Sequence, residues 1–364
     1  MILRLALNNF EREIEDLKKY IQTNIIDYQE RLSNFYQVDL TDEKAVEIQH
    51  FFQKQYRETR AISKIVNYSA IIILLYAYFE KFLESIAKEY VETLCNFCQS
   101  YDCLPKKIRQ NHFEKSIELI NNIKLDKYRD LITQKKVLEN LYHCQCENKN
   151  LINFYAYTQH RGNFRASAIR DFFAEIGIDQ IHEKIVDLDD FITYIKKKKP
   201  ELENLIAYKK NVDTNPFYAT INDLVRRRNE IAHGAPSNDI LSFEIIVDDY
   251  IDFIENYSKS LQKILRREII SYEIGHCVNL GKPIQVWNNE IIGIRVCNIR
   301  ISVGDPIIIK KSNGSYEDGK IVSIQVNRQS KNFIEIENNS IEIALKVNVN
   351  FNLKKNQEIF IPQY

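Results

Sequence analysis

Glycine is distributed unevenly along this chain, and that distribution limits the folds the chain can adopt. Only three of the nine glycines, at positions 162, 177 and 234, precede residue 275. Because glycine marks turns and irregular strands, its scarcity predicts a nearly all-helical chain as far as about residue 267. Apolar residues at helical spacing near the start agree with this prediction: Leu3, Leu7, Phe10, Ile14, Leu17, Ile21 and Ile25.

Two later segments refine the helical prediction. The run Thr41-Asp42-Glu43-Lys44 has the capping chemistry that starts a helix. The apolar run Ala70–Phe79 is too short to span a bilayer, and we interpret it as a buried helix. We therefore expect no membrane partner.

The pattern changes at about residue 268, after which six of the nine glycines occur. Short apolar runs, several with period-two alternation, are separated by turn signals such as Asn288-Asn289, Asn313-Gly314 and Asn338-Asn339. The predicted strands are Ile284–Trp287, Ile291–Val296, Pro306–Ile309, Lys320–Val326, Phe333–Ile336, Ile341–Val349 and Glu358–Ile361. This spacing indicates a small β-barrel. The predicted fold class is α+β multidomain, with an all-α domain over 1–267 and a barrel over 268–364.

The charge balance restricts how the chain could bind nucleic acid. Its 364 residues carry 50 basic and 50 acidic side chains, so the formal net charge is zero. A general nucleic-acid coat is therefore not indicated, and any RNA must bind at a local basic patch. The first ten residues lead directly into charged helix without a signal-peptide pattern, so we expect a cytoplasmic protein.

The seven cysteines leave two interpretations open. Cys95-x-x-Cys98 could begin a zinc site that Cys103 and one of His143, Cys144 or Cys146 complete. Alternatively, all seven are reduced thiols, which the odd count and the absence of a secretion signal favour over a disulfide framework. We adopt the second interpretation and predict no metal and no other cofactor.

The densest concentration of chemically useful side chains is the nine-residue run Arg226–Gly234. Arginine stabilises phosphate charge through a planar fork of donors, and histidine suits proton transfer near neutral pH. Together they can cleave a phosphodiester without a metal. Gly234 and Pro236 predict that the helix ends at His233.

The spacing of Arg228 and His233 bears on where they act. They are five residues apart, about 140° around an ideal helix. They can converge at the helix end, or when two copies of the motif meet across a dimer axis. We predict that Arg228 stabilises phosphate charge and that His233 transfers protons.

Four further residues receive predicted roles. Asn229 would orient the phosphate or the histidine through its amide. Arg226 and Arg227 would contact solvent or RNA phosphate rather than perform chemistry. Glu80 lies in an apolar helix, and a buried carboxylate needs a partner. That partner is either an arginine or histidine of the motif or a cation elsewhere in the core.

The Arg-Asn-x-x-x-His run resembles the signature of the HEPN superfamily. The segment Ser69–Glu84 is similar to the apolar helix with an embedded acid that precedes the motif helix in such domains. Asn163–Arg170, followed by Ile176-Gly177-Ile178, is similar to the middle of the MAE_28990/MAE_18760-like HEPN group. The resemblance covers roughly residues 1–265.

This resemblance implies a metal-independent endoribonuclease that works as a homodimer and has a toxin or antiviral role. The expected products carry a 2′,3′-cyclic phosphate and a 5′-hydroxyl. The expected partners are RNA, with tRNA as one candidate, and a neutralising antitoxin or defence partner. Because some HEPN domains are non-catalytic, a binding or regulatory subunit is the alternative.

The last 80 or so residues resemble the second-domain barrel of translation elongation factor Tu. The resemblance rests on Val303-Gly304-Asp305, Gly319–Gln325, Ala344–Val347 and Leu353–Phe360. No phosphate loop precedes these segments, so GTP binding is not expected. By analogy the barrel makes tRNA or the ribosome a reasonable target, and a translation-associated RNA-binding factor is a third possibility.

Overall fold

The computed structural model describes residues 3–38, 41–200, 216–234 and 239–362. The described chain forms two compact units. One comprises Leu3–Cys95 and Ser100–Ile264, and the other comprises Asn96–Gln99 and residues 265–362. The predicted combination of a helical N-terminal region and a C-terminal antiparallel sheet is confirmed, so the fold class is α+β multidomain.

The first unit is built from α-helices with short 3-10 and π segments between them. The α-helices are α1 (Leu5–Ile21), α2 (Asp27–Tyr36), α3 (Glu43–Phe97), α4 (Lys106–Asn122), α5 (Gln134–Glu147), α6 (Ala166–Ala174), α7 (Ile181–Val186), α8 (Asp189–Lys198), α9 (Ala219–Ala232), α10 (Phe243–Ile245) and α11 (Asp252–Glu273). A π segment joins α10 to α11, and α11 extends into the second unit. The apolar positions predicted for α1 are buried, except for the half-buried Leu7.

The helix α3 is much longer than either sequence signal suggested. It runs for 55 residues, and Asp42 caps its start by accepting a hydrogen bond from the Ala45 N–H at 2.9 Å. The predicted buried helix is buried along one face, through Ile71, Leu75 and Phe79. By length and composition alone α3 could also cross a membrane, but a buried core helix passes the same test.

The second unit contains one curled antiparallel sheet. Its strands are β1 (Cys277–Gly281), β2 (Gln285–Trp287), β3 (Ile291–Ser302), β4 (Pro306–Lys310), β5 (Tyr316–Val326), β6 (Gln329–Lys331), β7 (Phe333–Asn348) and β8 (Glu358–Pro362). The strand order is β1-β8-β4-β5-β7-β3-β2, with β6 paired to β5. The inner face is filled mainly with isoleucine, including Ile294, Ile307 and Ile324. The sheet forms a half-barrel, and its likeness to the elongation-factor barrel stays a prediction.

The strand predictions fail mainly at β7. Two predicted strands form this one 16-residue strand, because Asn338 is not in a hairpin turn. Asn338 and Asn298 both have positive φ, and the Asn338 N–H donates to the Asn298 side-chain oxygen at 2.9 Å. The register of β3 against β7 shifts at this point. A bulge therefore absorbs the asparagines without ending the strand. The short strands β1 and β6 were not predicted.

The last turns of α11 belong to the sheet unit. Arg266 forms an ion pair with Asp318 at 2.6 Å, and Arg267 pairs with Glu317. Ile270 is fully buried against Ile308 and its neighbours. The helix therefore continues past residue 268, where the sequence pattern changes, because its final turns cover the sheet.

Candidate active site on helix α9

The helix α9 holds the predicted motif and ends as the sequence indicated. Its last residue is Ala232, and Gly234 adopts φ +68°, the left-handed conformation expected after a helix. The Gly234 N–H donates to the Ile231 carbonyl at 3.1 Å. Pro236, the other predicted stop signal, lies outside the described residues. His233 is therefore fixed at the exposed end of the helix.

Packing behind the start of α9 anchors the helix. The Tyr218 hydroxyl donates to the His182 carbonyl at 2.6 Å, and the two rings lie 4.2 Å apart. The His182 Nε2 faces the Ala166 carbonyl at 2.7 Å. Burial lowers the pKa of His182 to about 4, so this histidine is neutral at physiological pH.

Arg227 lies on the inner face of α9. Its side chain is only 5% exposed, and it donates to Asp223 at 2.6 Å, to the Tyr68 hydroxyl at 2.9 Å and to the Asp239 carboxylate at 2.6 Å. Burial alone would lower the pKa of Arg227, but these hydrogen bonds raise it. The predicted contact with RNA is therefore wrong for Arg227, because its guanidinium is buried against its protein partners.

Asp223 organises the charged groups around Arg227. It accepts hydrogen bonds from Arg227, Arg226 and the Tyr250 hydroxyl. Burial would raise the pKa of Asp223, but these three donors outweigh it and lower the pKa. The cluster ties the inner face of α9 to the surrounding helices.

Arg226 and Arg228 lie on more exposed parts of α9 but differ in their partners. Arg226 pairs with Asp223 and Glu230, both at 2.6 Å. The Arg228 Cζ instead lies 5.2 Å from the centroid of the Tyr76 ring, and its Nη1 donates to the Asn229 oxygen at 3.2 Å. No carboxylate among the described residues pairs with Arg228. Its positive charge is therefore held in place but not neutralised there.

Asn229 connects the motif to the segment that follows residue 160. Its oxygen accepts a hydrogen bond from the Asn163 amide at 2.7 Å, in addition to the bond from Arg228. The described contacts of Asn229 therefore hold Arg228. Its predicted alternative roles, orienting a phosphate or His233, stay predictions.

Among the described residues, Glu80 is connected to the motif only through Tyr76. It accepts a hydrogen bond from the Tyr76 hydroxyl at 3.0 Å, and its carboxylate lies 3.7 Å from the His160 Nε2. The prediction that a motif residue partners Glu80 is not realised within one chain. Burial raises the pKa of Tyr76, so its hydroxyl keeps the proton that it donates.

His160 and Glu84 extend this polar group and were missed by sequence reasoning. The His160 Nε2 lies 2.9 Å from Glu84, which Lys127 also contacts at 3.0 Å. Burial would raise the pKa of Glu84, but the hydrogen bond from His160 and the charge of Lys127 lower it. The spacing of Tyr76, Glu80 and Glu84 by four residues was the available signal, because it places them on one helix face.

His233 is exposed, and none of the described residues hydrogen-bonds to its imidazole. Its backbone N–H donates to the Asn229 carbonyl at 3.0 Å. The ring is thus accessible to a ligand or to a second protein chain.

The cysteines show no metal centre in the described part of the chain, where no group of three or more cysteine, histidine or acidic residues is placed to hold an ion. None of the seven cysteines, all of them in the described part of the chain, forms a disulfide; Cys98 and Cys144 are buried, and Cys103 and Cys146 are exposed. The described residues thus offer no set of ligands for the zinc site that the sequence left open.

The family model described as RiboL-PSP-HEPN matches residues 39–267, well over half of the chain. The protein therefore belongs to the HEPN family, whose members are commonly RNases or nucleotide-binding proteins. No curated protein matches the chain. The matching model spans the residues of the candidate site from Tyr76 to His233. The finer subgroup suggested by Asn163–Arg170 is not established by this match.

Proposed function

We propose that this protein is a metal-independent endoribonuclease whose active site is centred on Arg228 and His233. The observation that carries the proposal is the contrast among three consecutive arginines. Arg226 and Arg227 each pair with two carboxylates, whereas Arg228 is held by an aromatic ring and an amide. A fixed cation that pairs with no carboxylate among the described residues suits an RNA phosphate.

His233 supplies the proton transfer in this proposal. The ribose 2′-oxygen attacks the adjacent phosphorus, and a base removes the 2′-hydroxyl proton. The bond from phosphorus to the 5′-oxygen then breaks, and an acid returns a proton to that oxygen. One fragment ends in a 2′,3′-cyclic phosphate and the other begins with a 5′-hydroxyl. An exposed histidine at a helix end can serve as the base or the acid.

A homodimer would supply both proton-transfer groups, one His233 from each chain. Arg228 and His233 are about 140° apart on an ideal helix, so two α9 helices facing each other place an arginine and a histidine from different chains in one cleft. Arg228 would then stabilise the charge that develops on the phosphate oxygens. A toxin or antiviral role, with tRNA as the first substrate to try, completes the proposal.

The test is the chemistry of the RNA ends. We expect the purified protein to cut single-stranded RNA in the presence of EDTA. The 5′ fragments should require removal of a cyclic phosphate before ligation, and the 3′ fragments should accept a 5′ label directly. Fragments that carry a 3′-hydroxyl and a 5′-phosphate, or activity that EDTA abolishes, would contradict the proposal. RNA binding without cleavage would instead favour the non-catalytic alternative.

The same chemistry of the RNA ends can identify the cellular substrate. Brief induction of the protein in cells, followed by sequencing of RNA ends that carry a 5′-hydroxyl, should show discrete new ends. Enrichment within tRNA would support the proposed target, and enrichment elsewhere would replace it.

A further inference from the structure

The helical hairpin formed by α2 and residues 43–67 of α3 contributes nothing to the core. We call it the arm. No described residue of α2 and none of the first 25 residues of α3 is buried, whereas α3 is buried along one face from Tyr68 to Leu94. At 1.5 Å per residue, this part of α3 is about 37 Å long.

One face of the α3 part of the arm is occupied by α2. The Tyr36 and Tyr56 rings lie 6.1 Å apart, and the Gln49 amide donates to the Phe35 carbonyl at 2.7 Å. The opposite side carries an apolar stripe whose side chains are between 50% and 64% exposed. The stripe consists of Ile48, Phe51, Phe52, Ile62, Ile65 and Val66.

The stripe has the spacing of a coiled-coil seam. Its central line runs through positions 48, 51, 55, 58, 62 and 65, which alternate by three and four residues. The two middle positions are polar, Gln55 and Glu58, and the four outer positions are apolar. This central line is therefore symmetric about its centre, which suits pairing with a reversed copy of itself.

We propose that the arm binds the arm of a second copy of this chain in an antiparallel orientation. This pairing sets Ile48 against Ile65, Phe51 against Ile62 and Gln55 against Glu58, so apolar residues meet apolar ones. The Gln55 side-chain amide can donate a hydrogen bond to the Glu58 carboxylate. A parallel pairing would set Glu58 against Glu58, and the repulsion between these two negative charges disfavours it.

The charges at the two ends of the arm favour the same orientation. Acidic residues predominate near its tip, at Asp42, Glu43 and Glu47. In the α3 part of the arm, basic residues predominate nearer the base, where Lys54, Arg57, Arg60 and Lys64 outnumber Glu58. Antiparallel arms bring the acidic tip of one copy toward the basic base of the other. This interface is separate from the α9 contact proposed above and does not depend on catalysis.

The test is sedimentation of the full chain carrying either Phe51→Glu or Ile62→Lys. We expect the wild-type protein to show an arm-mediated step of association at micromolar concentration. Each variant should weaken that step at least about tenfold, since a charge enters the seam twice, and should leave any dimer formed through α9 unchanged. Phe333→Glu, at a residue that is 59% exposed in the sheet unit, is the matched control and should associate like the wild type.

A mixture of the two variants distinguishes this geometry from other contacts. In an antiparallel pair of unlike variants, the new glutamate faces the new lysine and the other Phe51–Ile62 layer is intact, so association should recover. Circular dichroism checks that both variants remain helical. Variants that sediment like the wild type, a mixture that does not recover, or a wild-type protein that is monomeric throughout would each overturn the proposal.

Discussion

The inner and outer faces of α9 each carry an arginine, but the two arginines make different contacts. On the inner face, Arg227 is buried among Asp223, Tyr68 and Asp239 and joins α9 to its surroundings. On the outer face, Arg228 rests on a tyrosine ring and keeps its charge available. Consecutive helix positions differ by about 100°, so packing alone decides which arginine is structural. The contrast teaches that the motif contains one anchor and one candidate phosphate ligand.

Among the arginines of these two faces, the largest loss of cleavage rate is expected for Arg228→Ala. Removing one donor that stabilises transition-state charge costs about 10²- to 10³-fold in rate, or about 3–4 kcal/mol. Thermal unfolding should change little, because the side chain is half-buried and has no carboxylate partner among the described residues. Single-turnover cleavage of a defined RNA measures the rate. Arg226→Ala, two positions away, is the control, and an equal loss in that variant would remove the distinction.

For Arg227→Ala we expect the reverse pattern. Breaking a buried ion pair costs several kcal/mol, and we expect about 3 kcal/mol here because Asp223 and Asp239 stay partly exposed. Urea unfolding gives the free-energy change, and cleavage should persist at temperatures where the variant is folded. An Arg227→Ala protein with wild-type stability and impaired RNA binding would reverse our assignment of the inner face.

Acid should weaken the packing behind the start of α9. The pKa of His182 is about 4 in the folded protein, below the ordinary value near 6.5, so the unfolded chain takes up the proton first. The free energy of unfolding should therefore fall as the pH drops from about 6.5 to 4, by at most about 1.4 kcal/mol per pH unit for this histidine.

The variant His182→Leu isolates that contribution. Its stability at neutral pH should be lower, because the bond to the Ala166 carbonyl is lost, but its decline with acid should be shallower. Denaturant unfolding at several pH values gives both quantities. An unchanged slope would show that His182 does not titrate as described. His112, whose pKa burial also lowers to about 4, should contribute in the same direction.

The smallest effect on the cleavage rate is expected from a change at Tyr76, whose ring contacts the Arg228 guanidinium. The variant Tyr76→Leu removes the ring and should slow cleavage about 2- to 30-fold, the range that a cation–π contact of 0.5–2 kcal/mol allows. Tyr76→Phe keeps the ring and should cut RNA faster than the leucine variant, although it loses the hydrogen bond to Glu80. Equal rates in the two variants would show that the ring does not position Arg228.

The sequence predicted the architecture better than it predicted the site. Glycine distribution and apolar periodicity predicted helices followed by strands, since both are local properties. The helix end at Gly234 was likewise correct, because a left-handed residue is a local signal. The two asparagines at 338 and 339 misled the strand prediction, because a bulge and a hairpin turn use the same residue type.

The parts of the site that the sequence missed depend on distant contacts. Tyr76 lies about 150 positions before Arg228, and no local pattern indicates that its ring supports the guanidinium. The link between Asn163 and Asn229 also joins residues that are far apart in the chain. Three adjacent arginines look alike in sequence, so the burial of Arg227 could be learned only from packing. The exposure of the arm is likewise a property of the folded chain.

The most direct test of the central claim is RNA cleavage by His233→Ala in EDTA. His233 is exposed and has no side-chain hydrogen bond to the described residues, so the variant should unfold at the wild-type temperature. We predict that its cleavage rate falls by about 10²- to 10⁴-fold, the usual contribution of a positioned acid or base. A His233→Ala protein that cuts RNA at the wild-type rate would contradict the account, because the chemistry would then reside elsewhere.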